Sequence, residues 1–173
     1  MTLLTIASGD VALIATTLRL LDLEVGGPAL LAAAFDVAAP VQWPAEFNGE
    51  AYRDWQRELL AQHPGEPGFA GWYVIGGSEL VGTAGFKGPP DVAGRVEIGY
   101  SIIAPRQRRG FASGAVELLV THAFADPRVS LVLAETLPAG LASQAVLRRC
   151  GFSAAGTRVD DKDGEVLRFA RKR

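Results

Sequence analysis

The sequence predicts a mixed α/β fold whose sheet is mainly antiparallel at first and has a parallel crossover in the middle. Two short β-rich runs, 71–75 and 79–86, flank Gly76-Gly77-Ser78, which is a hairpin signature. An apolar run at 95–104 precedes an amphipathic segment, and a buried-type run follows at 130–135. A strand, a helix and a second strand in that order form a parallel crossover.

The N-terminal third of the chain predicts one strand and two helices. A mixture of β-branched and aliphatic residues predicts the strand, and Pro28 suits the first turn of the helix that follows. Apolar side chains at three- and four-residue spacing predict the second helix. The predicted bounds are a strand within 12–23, a helix from Pro28 to about Phe35, a loop over 36–49 and a helix over 50–62.

The C-terminal half predicts two further helices, so that about four helices flank the sheet. One carries a continuous apolar stripe, and the other is short and ends before Gly151, a plausible C-terminal cap. Two strands joined by a polar turn end the chain. The predicted bounds are helices over 112–124 and 141–149, and strands over 130–135, 152–159 and 165–171.

Composition and charge narrow the class of protein. The chain has 173 residues, 49% hydrophobic, which suits one domain over residues 1–173. With a net charge of −2, the protein has no overall positive potential that would attract nucleic acid or an anionic membrane. The chain has one cysteine, an N-terminus unlike a leader peptide and no long apolar run. These features predict a soluble cytoplasmic protein without a membrane partner. Because the potential ligands are few, no metal site is expected; they are His63, His122 and Cys150.

A basic turn, Gln107 to Ala112, carries the strongest chemical signal. It lies between a predicted strand and a predicted helix and contains Gly110. The free N–H groups and positive dipole of a helix N-terminus bind anions. Arg106, Arg108 and Arg109 add positive charge there. The turn therefore predicts a site for a small phosphate-bearing ligand.

The surrounding motifs resemble the GNAT superfamily of N-acetyltransferases, in detail the branch of ribosomal-protein N-terminal acetyltransferases similar to RimJ and RimL. The resemblance is strong over about 79–152, nearly half of the chain. The motifs that carry it are Val96-Glu97-Ile98-Gly99-Tyr100-Ser101-Ile102, the basic turn, Ala134-Glu135-Thr136-Leu137-Pro138, and Ser143 with Val146 to Phe152. A mixed GNAT sheet with a splayed parallel strand pair is implied.

The resemblance implies that acetyl-coenzyme A binds at the basic turn as co-substrate. Four residues match the family's pyrophosphate-binding turn, and the amides of about 108–113 would form the anion nest. The pantetheine arm would lie between the strands ending near Ile103 and Thr136, paired with the main chain of Ile102 and Ile103. The matching residues are Gln107, Arg109, Gly110 and Ala112, and the nest adds Arg108, Phe111 and Ser113. Arg106 and Arg108 point either to solvent or to the 3′-phosphate.

The resemblance also assigns candidate catalytic residues. Glu97 lies where related enzymes carry a glutamate, and would act as general base through a water, or else pair with an arginine. Glu135 would attract the cationic amine, assist the base or anchor a loop. Ser143 would cap its helix, contact the arm or donate to the thiolate. The family's tyrosine and asparagine are replaced by Leu147 and Gly140, although Gly140 keeps the cofactor-contacting position.

The predicted function is transfer of acetyl from acetyl-coenzyme A to a primary amine of a small molecule or peptide N-terminus, by direct attack. The alternative is a catalytically weak acyl-coenzyme A-binding or sensing module with the same fold. Trp43 is a candidate substrate contact, in a region that walls the acceptor site in the family, or else a packing residue. A homodimer through the last strands stays open.

Overall fold

The computed structural model describes residues 3–173, whose eight strands form one sheet in the order β1-β2-β3-β4-β5-β6-β8-β7. The strands are β1 (Thr5–Ser8), β2 (Val11–Ala15), β3 (Gly71–Gly76), β4 (Glu79–Phe86), β5 (Arg95–Ile102), β6 (Leu131–Thr136), β7 (Ser153–Asp160) and β8 (Gly164–Lys172). The helices are α1 (Leu18–Gly26), α2 (Pro28–Ala34), α3 (Glu50–Gln62), α4 (Phe111–Ala125) and α5 (Leu141–Arg149).

The predicted mixture of strand directions is confirmed. Neighbouring strands pair antiparallel throughout the sheet except for β5 and β6, which are parallel. Helix α4 connects these two strands and packs back on the sheet, as a crossover connection requires.

The prediction for the N-terminal third was partly wrong. Strand β2 covers Val11–Ala15, at the start of the range 12–23 within which a strand was predicted, and residues 18–23 belong to α1, which was not predicted. Thr17 caps α1, because its hydroxyl accepts a hydrogen bond from the Leu20 N–H at 3.3 Å. The helix therefore begins directly after Thr17 and the strand cannot continue through this segment. Strand β1 was missed, and α1 makes five helices within residues 3–173 rather than about four. The four leucines of residues 18–23 fit helix and strand equally until the cap at Thr17 is considered.

Two apolar clusters lie on opposite faces of the sheet. The larger joins the sheet to α4 and α5 and includes Val96, Ile98 and Ile102 of β5. The smaller includes Tyr73 and Ile75 of β3, together with Leu20 and Leu31 from α1 and α2. Because side chains alternate along a strand, the other β5 residues, Glu97, Gly99 and Ser101, face the side of α1 to α3.

Candidate active site

Strands β5 and β6 separate near their C-terminal ends. Their parallel pairing runs from Arg95 and Leu131 to Ile98 and Ala134 and then stops. Strand β5 continues to Ile102 and β6 to Thr136. The predicted splay is therefore present, and residues 99–102 have no β6 partner within the described chain.

The hydrogen-bond pattern of β5 determines which main-chain groups face this gap. On the β4 side, the Ile103 N–H donates to the Val81 carbonyl at 2.9 Å, and the Lys87 N–H donates to the Glu97 carbonyl at 2.9 Å. Alternation along the strand then turns the main-chain groups of Tyr100 and Ile102 towards the gap. The two main-chain groups of Ile103, which was predicted to pair with the arm, are both engaged within the protein, because its carbonyl also accepts from the Arg106 N–H at 2.9 Å.

The basic turn presents a row of free amides. Within residues 3–173, none of the backbone N–H groups from Arg108 to Ser113 donates to a protein acceptor, and the first bond of the helix is Gly114 N–H to Gly110 carbonyl at 2.9 Å. Arg108 and Gly110 have positive φ angles of 62° and 85°. Gly110 adopts this conformation without a Cβ penalty, and successive amides thereby converge on one point.

The side chains of the turn have different roles from its main chain. Gln107 Nε2 donates to the Ile102 carbonyl at 2.9 Å, which fastens the turn to the end of β5. Arg106 Nε donates to Glu79 Oε2 at 2.6 Å, so this guanidinium is committed to the protein. The Phe111 ring lies against Gly76 of β3. Arg108 and Arg109 are exposed beside the free amides.

Helix α5 lies beside the splay but offers few polar groups to it. A Cβ on Gly140 would lie 2.4 Å from Thr136 Oγ1, so a larger residue at this position would have to displace the Thr136 side chain. The Gly140 N–H donates to the Leu137 carbonyl and its carbonyl accepts from the Gln144 N–H. Both main-chain groups of Gly140, which was predicted to contact the cofactor arm, are therefore engaged within the protein. Leu147 is fully buried, and Ser143 makes no capping bond.

Tyr100 brings a phenol to the end of the gap that α5 borders. Its hydroxyl donates to the Ser143 carbonyl at 3.2 Å. Burial raises the pKa of Tyr100 to about 12, so the phenol stays protonated at neutral pH.

A cleft of about 230 Å³ lies on the Glu97 face of the sheet and reaches the splay. Its sheet side includes Gly99 and Ser101, next to the point where β5 leaves β6. Aromatic residues from α3 and the preceding loop form the opposite wall: Phe47, Tyr52 and Trp55. The cleft and the splay therefore meet along residues 99–101.

Glu97 lies at the margin of this cleft, in contact with Lys87. Glu97 Oε1 and Lys87 Nζ form an ion pair, and Lys87 itself lines the cleft. The Glu97 side chain is 24% exposed and that of Lys87 51% exposed. The structure thus pairs Glu97 with a lysine, where the sequence had left open a pairing with arginine.

Glu135 is held by two arginines on the neighbouring strands. Arg158 Nε and Nη2 donate to its two oxygens at 3.0 and 2.7 Å, and Arg168 Nε lies 3.2 Å from Oε1. The Arg158 hydrogen bonds hold the pKa of Glu135 below its usual range. Because both oxygens are engaged, Glu135 ties β6 to β7 and β8, and the alternative role of attracting an amine is not supported.

Trp43 lies away from the cleft. Its indole Nε1 donates to Glu24 Oε1 at 2.9 Å, and its ring packs against the smaller cluster. Glu24 also accepts from the Tyr73 hydroxyl at 2.7 Å. This packing role replaces the predicted substrate contact. Phe47, in the loop over 36–49 that belongs to the same region, lines the cleft instead.

Residues 3–173 show neither a metal-binding cluster nor a membrane-spanning helix. No group of three or more His, Cys, Asp or Glu residues there has the geometry to hold a metal ion. No described helix has the length and hydropathy needed to cross a membrane. Cys150 is buried, and burial raises the pKa of its thiol to about 11, which leaves it unreactive.

The sequence matches a known protein family and individual relatives within it. The model of the acetyltransferase (GNAT) domain family matches residues 17–153. The uncharacterized N-acetyltransferase YjdG of Bacillus subtilis is 33% identical over 113 residues, which cover 64% of this chain and 67% of YjdG. YoaA, another uncharacterized N-acetyltransferase of that species, is 36% identical over 45% of this chain and 44% of its own length.

Solved structures share the whole fold at lower sequence identity. The Salmonella typhimurium acetyltransferase that modifies the N-terminal serine of ribosomal protein L7/L12 has a TM-score of 0.71 at 19% identity, covering 98% of this chain and 99% of that one. The microcin C7 self-immunity acetyltransferase MccE, solved with acetyl-coenzyme A and AMP, has a TM-score of 0.70 at 15% identity, covering 96% and 94%. Together with the splayed strands and the amide-lined turn, these matches establish that the chain belongs to the GNAT family of acetyl-coenzyme A-dependent N-acetyltransferases.

Proposed function

We propose that the protein transfers acetyl from acetyl-coenzyme A directly to a primary amine, on a small molecule or at a peptide N-terminus. The observation that carries this proposal is the meeting of the splay and the cleft along residues 99–101. A thioester in the gap would face an amine in the cleft without a covalent enzyme intermediate. The single sheet supports treating the chain as one domain. Cytoplasmic location and a homodimer stay predictions.

The cofactor end would hold acetyl-coenzyme A chiefly through the main chain. The amides of residues 108–113 would bind the pyrophosphate, with Arg108 and Arg109 adding charge. The main-chain groups of Tyr100 would pair with the pantetheine arm as a strand does, since the Ile102 carbonyl already accepts from Gln107. The Ile102 N–H would stabilise the thioester oxygen as it becomes an oxyanion.

Attack by the amine forms the C–N bond, and the C–S bond then breaks to release the thiolate. Glu97 would take the proton lost by the amine through a water, once the half-exposed Lys87 side chain moves aside. An alkyl ammonium has a pKa of about 10.4 and an α-amino group about 7.7–8.0, so alkyl amines need this base more. Ser143 would donate to the thiolate or contact the arm.

The test is steady-state release of coenzyme A with a panel of alkyl amines and peptides, for the wild type and Glu97→Gln. We expect the substitution to lower kcat about 100-fold for alkyl amines, less for peptides, and to flatten the pH profile. The matched control is Glu165→Gln, an exposed glutamate on β8. An unchanged rate and pH profile in Glu97→Gln would remove Glu97 from the mechanism.

A binding or sensing module is the second candidate. It is favoured by the Glu97–Lys87 ion pair and by the fully buried Leu147. Stabilisation of the protein by acetyl-coenzyme A in a thermal shift, with no coenzyme A released by any amine or peptide, would establish this alternative. Release of coenzyme A with any acceptor would exclude it.

A further inference from the structure

We infer that the acceptor is an amine bearing a flat apolar group, such as an aryl ring, which lies over Gly99 against an aromatic wall. This inference rests on the proposed function and names its substrate class. Three features of the cleft carry it: a glycine with open space above it, an exposed phenylalanine in a strained backbone conformation, and the distribution of charge.

Gly99 differs from the glycine with which it pairs. A Cβ on Gly85 of β4 would lie 2.6 Å from the Ala70 carbonyl oxygen, so the fold itself requires that glycine. A Cβ on Gly99 would have no atom within 4 Å, and its φ angle is ordinary. Glycine within a strand weakens the strand and often marks close approach of a ligand. The fold does not require a glycine at position 99, and the effect of Gly99 is to leave the cleft open above the strand.

Phe47 is presented at the mouth of the cleft. Its side chain is 80% exposed, and its φ angle of 66° is strained for a residue other than glycine. The next residue, Asn48, is buried and donates to Thr83 on the cleft floor, which fixes the loop in place. An exposed aromatic ring held in this way is positioned to cover an apolar ligand.

The remaining wall and the charges agree with such a ligand. Trp55, 36% exposed, lies beside Tyr52 with ring centroids 5.8 Å apart, so aromatic faces border the cleft on the helix side. Glu46 is the carboxylate that lines the cleft within residues 3–173, and Glu97 at its margin is paired with Lys87, which also lines the cleft. A polyamine would need several carboxylates, whereas an aryl amine needs flat apolar walls.

The experiment compares three acceptors in coenzyme A release: 2-phenylethylamine, hexylamine and spermidine. We expect kcat/KM to be about tenfold higher for 2-phenylethylamine than for hexylamine, the equivalent of about 1.4 kcal/mol. Substitutions Gly99→Ala, Gly99→Val and Gly99→Phe should lower it progressively, with an unchanged KM for acetyl-coenzyme A. Phe47→Ala should reduce the preference for the aryl amine several-fold, whereas the control Val159→Ala, equally exposed on β7, should not.

Calorimetric binding of 2-phenylethylamine to the coenzyme A complex provides a readout independent of turnover. Binding that disappears in Gly99→Phe supports the inference even if no amine is acetylated, an outcome that would count against the proposed function alone. The inference is overturned if 2-phenylethylamine does not bind the wild type. It is also overturned if hexylamine or spermidine reacts equally well and Gly99→Phe leaves the rates unchanged, an outcome that would leave the transferase function intact.

Discussion

The two ends of the active site are built from different parts of the chain. At the cofactor end, free amides of one short turn and the main chain of one strand face the ligand position. At the acceptor end, side chains from a loop, α3 and two strands surround the cleft. Main-chain sites need a particular glycine and a helix start, whereas side-chain sites need residues that are distant in sequence. A main-chain site therefore leaves a motif in one short stretch of the sequence, and a side-chain site does not.

Substitution of Gly110 should have the largest effect on the cofactor end. Gly110→Val places a β-branched residue at a φ of 85°, which costs about 1–3 kcal/mol and turns the amides away from the phosphates. We expect coenzyme A affinity, measured by calorimetry, to fall about 5- to 100-fold.

Gly164→Val is the matched control, since Gly164 has a φ of 71° in the β7–β8 turn and equally open surroundings. Both variants should lose similar thermal stability, and only Gly110→Val should lose affinity. Equal affinity in the two variants would contradict the backbone account of the cofactor end.

Gln107→Ala should have a smaller effect, because the side chain acts through the main chain. The variant loses the bond from Nε2 to the Ile102 carbonyl, worth about 0.5–1.5 kcal/mol. Coenzyme A affinity should fall about two- to tenfold by calorimetry, while Gln62→Ala, exposed at the end of α3, should bind normally. A 100-fold loss would indicate that Gln107 contacts the phosphates directly.

Tyr100→Phe should have a modest effect on turnover at neutral pH. A thiol has a pKa near 8.5, so protonating the departing thiolate gains little, and kcat at pH 7 should fall less than about threefold. Because the pKa of Tyr100 is raised to about 12, the wild-type profile should show no basic limb from this phenol up to pH 10. A tenfold loss in the rate of acetyl transfer, measured in the pre-steady state, would indicate that Tyr100 is an essential acid.

Glu135→Gln should change stability and leave catalysis nearly unaltered. The pKa of Glu135 is lowered in the folded protein, so the stability it adds is present above its unfolded pKa of about 4.3 and is lost as pH falls through the folded value. The variant should unfold at lower denaturant concentration than the wild type at pH 7, with the difference shrinking at pH 3. A change of more than twofold in the rate of acetyl transfer would indicate that Glu135 acts in the acceptor site.

The sequence predicted the elements of the C-terminal half to within two residues, because turns and periodic apolar faces mark their ends. It missed β1 and α1 and placed one strand within 12–23, because the leucines of residues 18–23 have no period that separates helix from strand. The basic turn was read as an anion site from Gly110 and its neighbours alone. Gly99 was not recognised as a cleft residue, because its role depends on a loop folding back over β5.

Backbone amide spectra recorded during stepwise addition of coenzyme A, followed by 2-phenylethylamine, distinguish the two ends of the site in one experiment. Coenzyme A should shift the amide signals of residues 108–113, Tyr100 and Ile102, and leave those of β7 in place. The amine should then shift Gly99 and the Trp55 indole N–H. Coenzyme A shifts that spare residues 108–113, or that centre on the aromatic cleft, would contradict a cofactor end made of main chain and an acceptor end made of side chains.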